Sequence, residues 1–348
     1  MRSTLALLAL GAASVAAVAV PKDVTQMKRD IIARQGKSLV KRNSVTQGAD
    51  DATILQFALI LEHLEDVFYS EALSKFDEQA FADAGYAGLY PVLQQVASDE
   101  ASHVEFLTTA LKAAGVENPP ARCQYSFPYT DVSSFLGLSQ VIENVGVSAY
   151  LGAAADISDP GYVTVAGSIL TVEARHNTFI RFLNNYIPFA NAYDTPQSAS
   201  NVVGIVTPFF TSCPEGSAPT IPAFPALTLA SSAVKAGDVI QPTLANSSSV
   251  DLSAYTVYCA FAYELGAYFS DYKDGSCTVP AEIGQGQAYV TLTRWKDLAD
   301  KWTLAGPAII DGSAQNVTVS IPTIAAAAPA ASSTAADSSA APSASASA

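Results

Sequence analysis

Glu100-Ala101-Ser102-His103-Val104-Glu105-Phe106 and Glu173-Ala174-Arg175-His176-Asn177-Thr178-Phe179 are one string, Glu-Ala-x-His-x-x-Phe, written twice. On an α-helix, positions three apart share a face, so each copy presents a carboxylate and an imidazole in one direction. A second repeat precedes each: Glu62 with Tyr69 seven residues on, and Glu143 with Tyr150 seven residues on. The chain reads as a duplicated helical hairpin in which each copy offers one Glu from its first helix and Glu-x-x-His from its second.

From Asp51 to about Ala190, apolar residues recur at three and four, the period of amphipathic helices. The first helix runs from about Asp51 to Phe76. The second runs from Tyr86 to Ala114, closed by Gly115 in a position suited to a left-handed cap. The third opens near Thr130 or Asp131 and reaches about Ile157. The fourth follows Ser158-Asp159-Pro160, a cap with proline in the first turn, and stops before Pro188. At 1.5 Å per residue such helices are about 38 Å long, and four of them suit an antiparallel bundle.

In that bundle four carboxylates, Glu62, Glu100, Glu143 and Glu173, converge with two imidazoles, His103 and His176. Burying such charge uncompensated is prohibitive, whereas two divalent cations cancel it. Oxygen-rich ligation with two nitrogens suits two Fe or two Mn ions, with O₂ or H₂O₂ as the small oxidant. Glu65 lies on the face of Glu62 and could take its place, but Glu62 matches the tyrosine offset of the other half. His63, about 100° further round, points away. Tyr69 and Tyr150 either hydrogen-bond the ligands and relay electrons or simply pack. Asp99 and Arg175 face elsewhere and read as surface charges.

Beyond Tyr186 the texture changes, with seven of the 19 prolines between Pro188 and Pro225. This stretch, 191–225, reads as a wrapped connection without regular structure. Period-two runs follow at Ala226–Leu229, Tyr255–Phe261, Ala288–Thr293 and Val317–Ile321, so 226–324 is expected to be a small antiparallel, sandwich-like β domain. Its Trp295 and Trp302, the only tryptophans, either pack or bind a cell-wall glycan. The tail 325–348 holds 13 Ala and 7 Ser and lacks the large apolar side chains needed to fold. Cys123 and Cys213 each follow a helix pointing the same way, which suggests one disulfide between them and a second between Cys259 and Cys277.

The 348 residues carry 18 Lys+Arg and 32 Asp+Glu; the first 42 hold eight basic and two acidic side chains, leaving 10 against 30 and a net charge of −20. Such a body repels nucleic acid and anionic lipid. The apolar run Leu5–Val20, with Ala17 and Ala19, has the pattern of a signal peptide over 1–19. Residues 20–42 read as a pro-segment ending at Lys41-Arg42, or as an ordinary solvated charge cluster. No other run reaches membrane-spanning length, so no transmembrane segment is expected in the mature chain. A secreted protein, extracellular or in the cell wall, is the expectation, with Asn246 and Asn316 as glycan acceptors.

Leu61-Glu62-His63-Leu64-Glu65 with Phe68-Tyr69, Asp99-Glu100-x-x-His103, Glu143-Asn144-Val145-Gly146 with Ala149-Tyr150, and Val172-Glu173-Ala174-Arg175-His176 together resemble the ferritin-like di-iron carboxylate superfamily. Within it they look like the secreted fungal proteins linked with stress response and late sexual development, which are related to plant desiccation proteins. The resemblance covers roughly 49–190 and, more loosely, Gly306-Pro307-Ala308. It implies a ferritin-like four-helix bundle in which Glu100 and Glu173 bridge two ions. Glu62, Glu143, His103 and His176 would be terminal ligands. The function it implies is O₂- or H₂O₂-linked redox chemistry as an oxidase, ferroxidase or peroxide scavenger. The alternative is a structural or protective surface protein with a non-catalytic metal pair.

Overall fold

The computed structural model describes residues 49–312. The expected signal peptide and pro-segment, Asn316, the run Val317–Ile321 and the Ala/Ser tail lie outside the described residues.

Four long helices and two short ones make up the first part: α1 (Asp51–Lys75), α2 (Glu78–Asp83), α3 (Tyr90–Ala113), α4 (Val132–Ala153), α5 (Pro160–Leu183) and α6 (Ala199–Val206). The caps follow the sequence. Asp131 accepts from the Ser134 backbone N–H in a reciprocal capping box, and Asp159 accepts from Gly161 and Tyr162 ahead of Pro160 in the first turn. Gly115 takes φ 88° just past α3, while the N–H of Val116 reaches back to Leu111.

Two boundaries differ from expectation. The segment expected to open the second helix at Tyr86 instead forms a turn, because Gly85 and Gly88 adopt φ of 93° and 81°. The helix therefore starts at Tyr90 with Pro91 in its first turn. The third helix stops at Ala153 and leaves a short turn before the Asp159 cap. The proline-rich connection also contains structure that composition hid. Ser198 caps the helix Ala199–Val206, which fits between Pro196 and Pro208 and buries Val202, Val203 and Val206.

Within the bundle α1 packs on α3 and α4 on α5, the two predicted hairpins, and α1 meets α4 between them. Strand β1 (Gln124–Tyr125), after α3, pairs with β2 (Phe210–Ser212), after α6, beside the disulfide Cys123–Cys213. The rest is antiparallel β structure. A four-stranded sheet runs in the order β10 (Thr303–Asp311), β9 (Gln287–Thr293), β6 (Tyr258–Tyr263), β7 (Gly266–Asp271). Two-stranded ribbons pair β3 (Leu227–Thr228) with β5 (Thr243–Leu244), and β4 (Val239–Ile240) with β8 (Cys277–Thr278). A second disulfide, Cys259–Cys277, ties β6 to β8.

Every residue of β9 is buried, because the sheet has apolar neighbours on both faces. Ala288, Val290 and Leu292 enter a core of their own with Phe261 and Ile310, while Tyr289 and Ala262 join the bundle core. The Tyr289 hydroxyl sits 2.7 Å from Ser148 Oγ on α4. Arg181 of α5 binds Asp311 of β10 at 2.9 Å, which fastens the sheet to the outer side of the second hairpin. Among the described residues, no helix is long and apolar enough to cross a membrane.

Candidate metal centre

All four carboxylates of the duplicated pattern point into the bundle and are inaccessible to solvent: Glu62 and Glu143 from the first helix of each hairpin, Glu100 and Glu173 from the second. His103 and His176 are buried beside them. One donor atom each from Glu62, Glu100, His103 and Glu173 lie within 4.8 Å of one another, and so do those of Glu100, Glu143, Glu173 and His176. The two groups share Glu100 and Glu173. Glu62 with His103, and Glu143 with His176, belong to one group each.

Both imidazoles present Nδ1 to the carboxylates. In His103 it lies 3.0 Å from Glu100 Oε2, 3.1 Å from Glu62 Oε2 and 3.4 Å from Glu173 Oε1. In His176 it lies 2.9 Å from Glu100 Oε1 and 3.5 Å from Glu143 Oε2. His176 Nδ1, Glu100 Oε1, Glu143 Oε2 and both oxygens of Glu173 are buried without a hydrogen-bond partner in the protein. Such atoms are costly in a folded interior, yet here they converge. Oxygen and nitrogen donors brought together with their bonding unmet are what a cation needs, so the residues present fit a pair of metal ions.

The electrostatics of the protein groups alone tell the same story. Burial pushes Glu62 up to about 7 against the lowering effect of His103. Burial, followed by the charge of Glu100, holds Glu173 well above the usual carboxylate range, and burial also raises Glu143. Glu100 goes the other way: burial opposes its charge, but the adjacent imidazoles of His103 and His176 hold it low. Burial disfavours the charged form of His103, yet Glu100, Glu173 and Glu62 together raise it to about 12. His176 rises to about 11 against the same penalty, through Glu100 and Glu143. The carboxylates thus hold protons on the imidazoles until cations take their place.

The two tyrosines act across the duplication. Tyr69, on α1, donates to Glu143 of α4, and Tyr150, on α4, donates to Glu62 of α1. Burial and the adjacent carboxylates keep both phenols protonated, as this requires. Edge-to-face contact with Phe68 and Phe135, at ring separations of 5.3 and 5.9 Å, fixes the Tyr69 ring.

Three residues complete the site in ways the sequence left open. Glu65 is buried too, and its raised proton affinity comes from burial and then from Glu173, but it lies outside the two donor groups. Its carboxylate faces Gly146, where a Cβ would stand 2.9 Å from Glu65 Oε1 and 3.4 Å from Glu173 Oε2. Asp99 corrects the expectation of a surface charge: its Oδ2 lies 3.3 Å from His176 Nε2, across from α3 to α5. A residue at the margin of a helix's inner stripe faces the neighbouring helix, which rotation about its own axis does not reveal. His63, as expected, turns outward, placing Nε2 3.1 Å from the Pro120 carbonyl.

In the β region Trp295 is 62% exposed, and its ring centre is 6.1 Å from that of Trp302. The side chains of Arg294 and Lys301 lie against the Trp302 ring. Asn246 is exposed on a turn, its side chain accepting from the Ser248 N–H.

Residues 50–185 match a protein family described as the Ferritin-like domain. Among curated proteins, Protein rds1 of Schizosaccharomyces pombe is similar to this chain, 26% identical over 183 residues. That similarity covers 52% of this chain and 44% of the relative, so the chain matches less than half of that protein's length.

Proposed function

We propose, from the premise that residues 50–185 of this chain are a ferritin-like domain, that the protein holds two Fe or two Mn ions and works outside the cell or in the cell wall as an O₂- or H₂O₂-linked oxidase, ferroxidase or peroxide scavenger. The observation that carries this reading is the pair of interlocking donor groups sharing Glu100 and Glu173, with their unpartnered buried oxygens. Glu100 and Glu173 would be common to both ions; Glu62 and His103 would hold one, Glu143 and His176 the other. Bound there, such ions supply one-electron chemistry toward a small oxidant.

The chain's own groups have defined tasks. Asp99 accepts the Nε2–H of His176, which leaves the Nδ1 lone pair aimed at the carboxylates. Tyr69 and Tyr150 restrain the outer carboxylates by donating to them and can pass a proton or an electron along the same contact. The centre is closed: its four carboxylates are inaccessible to solvent, and the cavity beside it that touches Glu65 and Gly146 is apolar and measures only 10 Å³, room for about one water. So enclosed a site suits a diatomic gas, a peroxide or a bare ion, whereas an organic substrate does not fit it. Transit through a secretory route fits the two disulfides and the exposed Asn246.

That same closure favours a second reading, in which the ions only brace the bundle of a protective surface protein. Loading the pure protein with Fe(II) or Mn(II), counting the metal and following O₂ and H₂O₂ consumption separates the two. Two ions with turnover supports the redox role, and two ions without turnover the structural one. No bound metal removes both.

A further inference from the structure

Four strand ends meet at one end of the sheet: Tyr258 of β6 pairs with Asp271 of β7 and with Thr293 of β9, and Thr293 pairs with Thr303 of β10. The loop 294–302 leaves from this end and carries both tryptophans. The Trp295 carbonyl accepts from the Thr293 hydroxyl at 2.7 Å and from the Asp297 N–H at 2.8 Å, while the Arg294 N–H donates to the Trp302 carbonyl at 3.0 Å. So fixed, the Trp295 ring stays 62% exposed, backed by Trp302. A large apolar ring held in water by a bonded turn marks a contact surface. The charges around it are set apart as well. Lys296 lies over the Tyr258 ring and, with Lys273, shares Asp271. Arg294 and Lys301 flank Trp302 at 5.2 and 5.3 Å from its ring centre, and among the described residues neither has a carboxylate within ion-pair distance. The loop's own acids turn away: Asp297 accepts the Ala299 N–H, and Asp300 sits beside the hydroxyls of Ser198 and Ser200 at the start of α6. An open indole face thus adjoins two uncompensated cations, on a body of net charge −20.

We propose that this loop binds an acidic sugar, an isolated uronic-acid unit of an otherwise neutral polysaccharide, whose ring stacks on Trp295 while its carboxylate meets Arg294 and Lys301. A neutral sugar would use the indole and leave both cations idle, and a small anion would do the reverse. A nucleic-acid backbone, with a charge on every unit, would run from two free cations onto an acidic body. An anionic membrane would meet the same repulsion, and the sequence neighbours of Trp295, Arg294 and Lys296, are charged side chains that do not enter lipid. One flat ring bearing one negative charge uses both features together. The loop shares no residue with the metal centre, so this reading stands whether or not the centre is catalytic.

The test titrates the full chain with methyl β-D-glucuronide, with methyl β-D-glucoside as the same ring without the charge and sodium acetate as the charge without the ring. Tryptophan fluorescence reports the loop directly, because the chain's two tryptophans are both in it, and saturation-transfer NMR reads the sugar. We expect the glucuronide to bind saturably, about fivefold or more tightly than either control, and less well as salt rises. By NMR, Trp295→Ala should weaken it about tenfold and Lys301→Gln about threefold, with Phe189→Ala, an exposed ring elsewhere, unchanged. Trp295 and Lys301 both project into solvent, so neither change should unfold the sheet, as unaltered melting would register. The proposal is overturned if the glucuronide does not bind, if glucoside or acetate binds as tightly, or if Trp295→Ala leaves binding unchanged. Tighter binding of oligothymidylate or of phosphatidylserine vesicles at the same salt, lost in Trp295→Ala, overturns it too. A dimer in sedimentation that dissociates in Trp295→Ala would assign the ring to a second copy instead.

Discussion

The hairpins α1/α3 and α4/α5 supply equal donor sets, one Glu and one Glu-x-x-His each, but they surround them unequally. Three residues after Glu62 comes Glu65, whereas three after Glu143 comes Gly146, and the carboxylate of the first occupies the space that the second leaves by lacking a side chain. The residue before Glu100 is Asp99, which binds His176; the residue before Glu173 is Val172, which has no carboxylate to offer. Among the described residues, the only carboxylates within ion-pair distance of His103 belong to the donor set itself. Both additional acids therefore sit on the first hairpin. Duplication preserved the groups that meet at the centre and let their surroundings diverge, so the two cation positions should differ in affinity.

The harshest break of this near-symmetry removes what the halves share. Glu100→Ala with Glu173→Ala should reduce metal from two ions per chain to almost none by elemental analysis; near-full retention would show that the donors are not those named. Next, chelation should lower the melting temperature of the loaded protein by about 5–10 °C, given ~3 kcal/mol for a well-occupied site and a few degrees per kcal/mol. His103→Ala with His176→Ala should abolish that difference, and unchanged melting of the wild type on chelation would count against the centre.

The same two samples should diverge with pH. Folded values for Glu62, about 7, and for His103 and His176, about 12 and 11, lie above their ordinary values of 4.5, 6.5 and 6.5. Stability from such groups is complete below the ordinary value and is lost as pH rises through the folded one. The metal-free protein should thus lose stability between about pH 5 and pH 8 through Glu62, with Glu143 and Glu173 raised in the same sense, and lose more toward pH 11–12. Glu100, held low, acts oppositely and only in acid. Metal-loaded protein should melt at nearly constant temperature from pH 5 to 8, as thermal scans across that range would register.

Asymmetry itself is sharpened by Asp99→Asn, which should weaken one of the two ions about 10–100-fold and spare the other in a titration with two resolved steps. Equal weakening of both would mean that the halves are not distinguished by Asp99. The mildest change, Gly146→Ala, should displace the flexible Glu65 carboxylate without unfolding the bundle, leaving two ions bound and altering the spacing between the steps.

Much of the bundle was legible because helical periodicity is local. Asp131 and Asp159 announce their caps, and Gly115 its terminus. The disulfides Cys123–Cys213 and Cys259–Cys277 are the expected ones, although Cys213 follows α6 and β2 rather than the fourth long helix. What remained hidden depended on neighbours. Prolines suggested an irregular connection where Ser198 starts a helix, and Gly88 ended a helical pattern that apolar spacing alone would have extended back to Tyr86. In the sheet, strands expected to alternate are buried on both faces, because the bundle covers one of them.

By itself the sequence determined which side chains point inward: Glu62, Glu100, His103, Glu143, Glu173 and His176 follow from a 3.6-residue period repeated in two copies. Only the tertiary structure decided what they meet: Tyr69 on Glu143 and Tyr150 on Glu62, Asp99 on His176, and Glu65 over Gly146. Period fixes the direction of a side chain about its own helix axis, whereas its partner across the gap depends on how far and in what register the next helix packs.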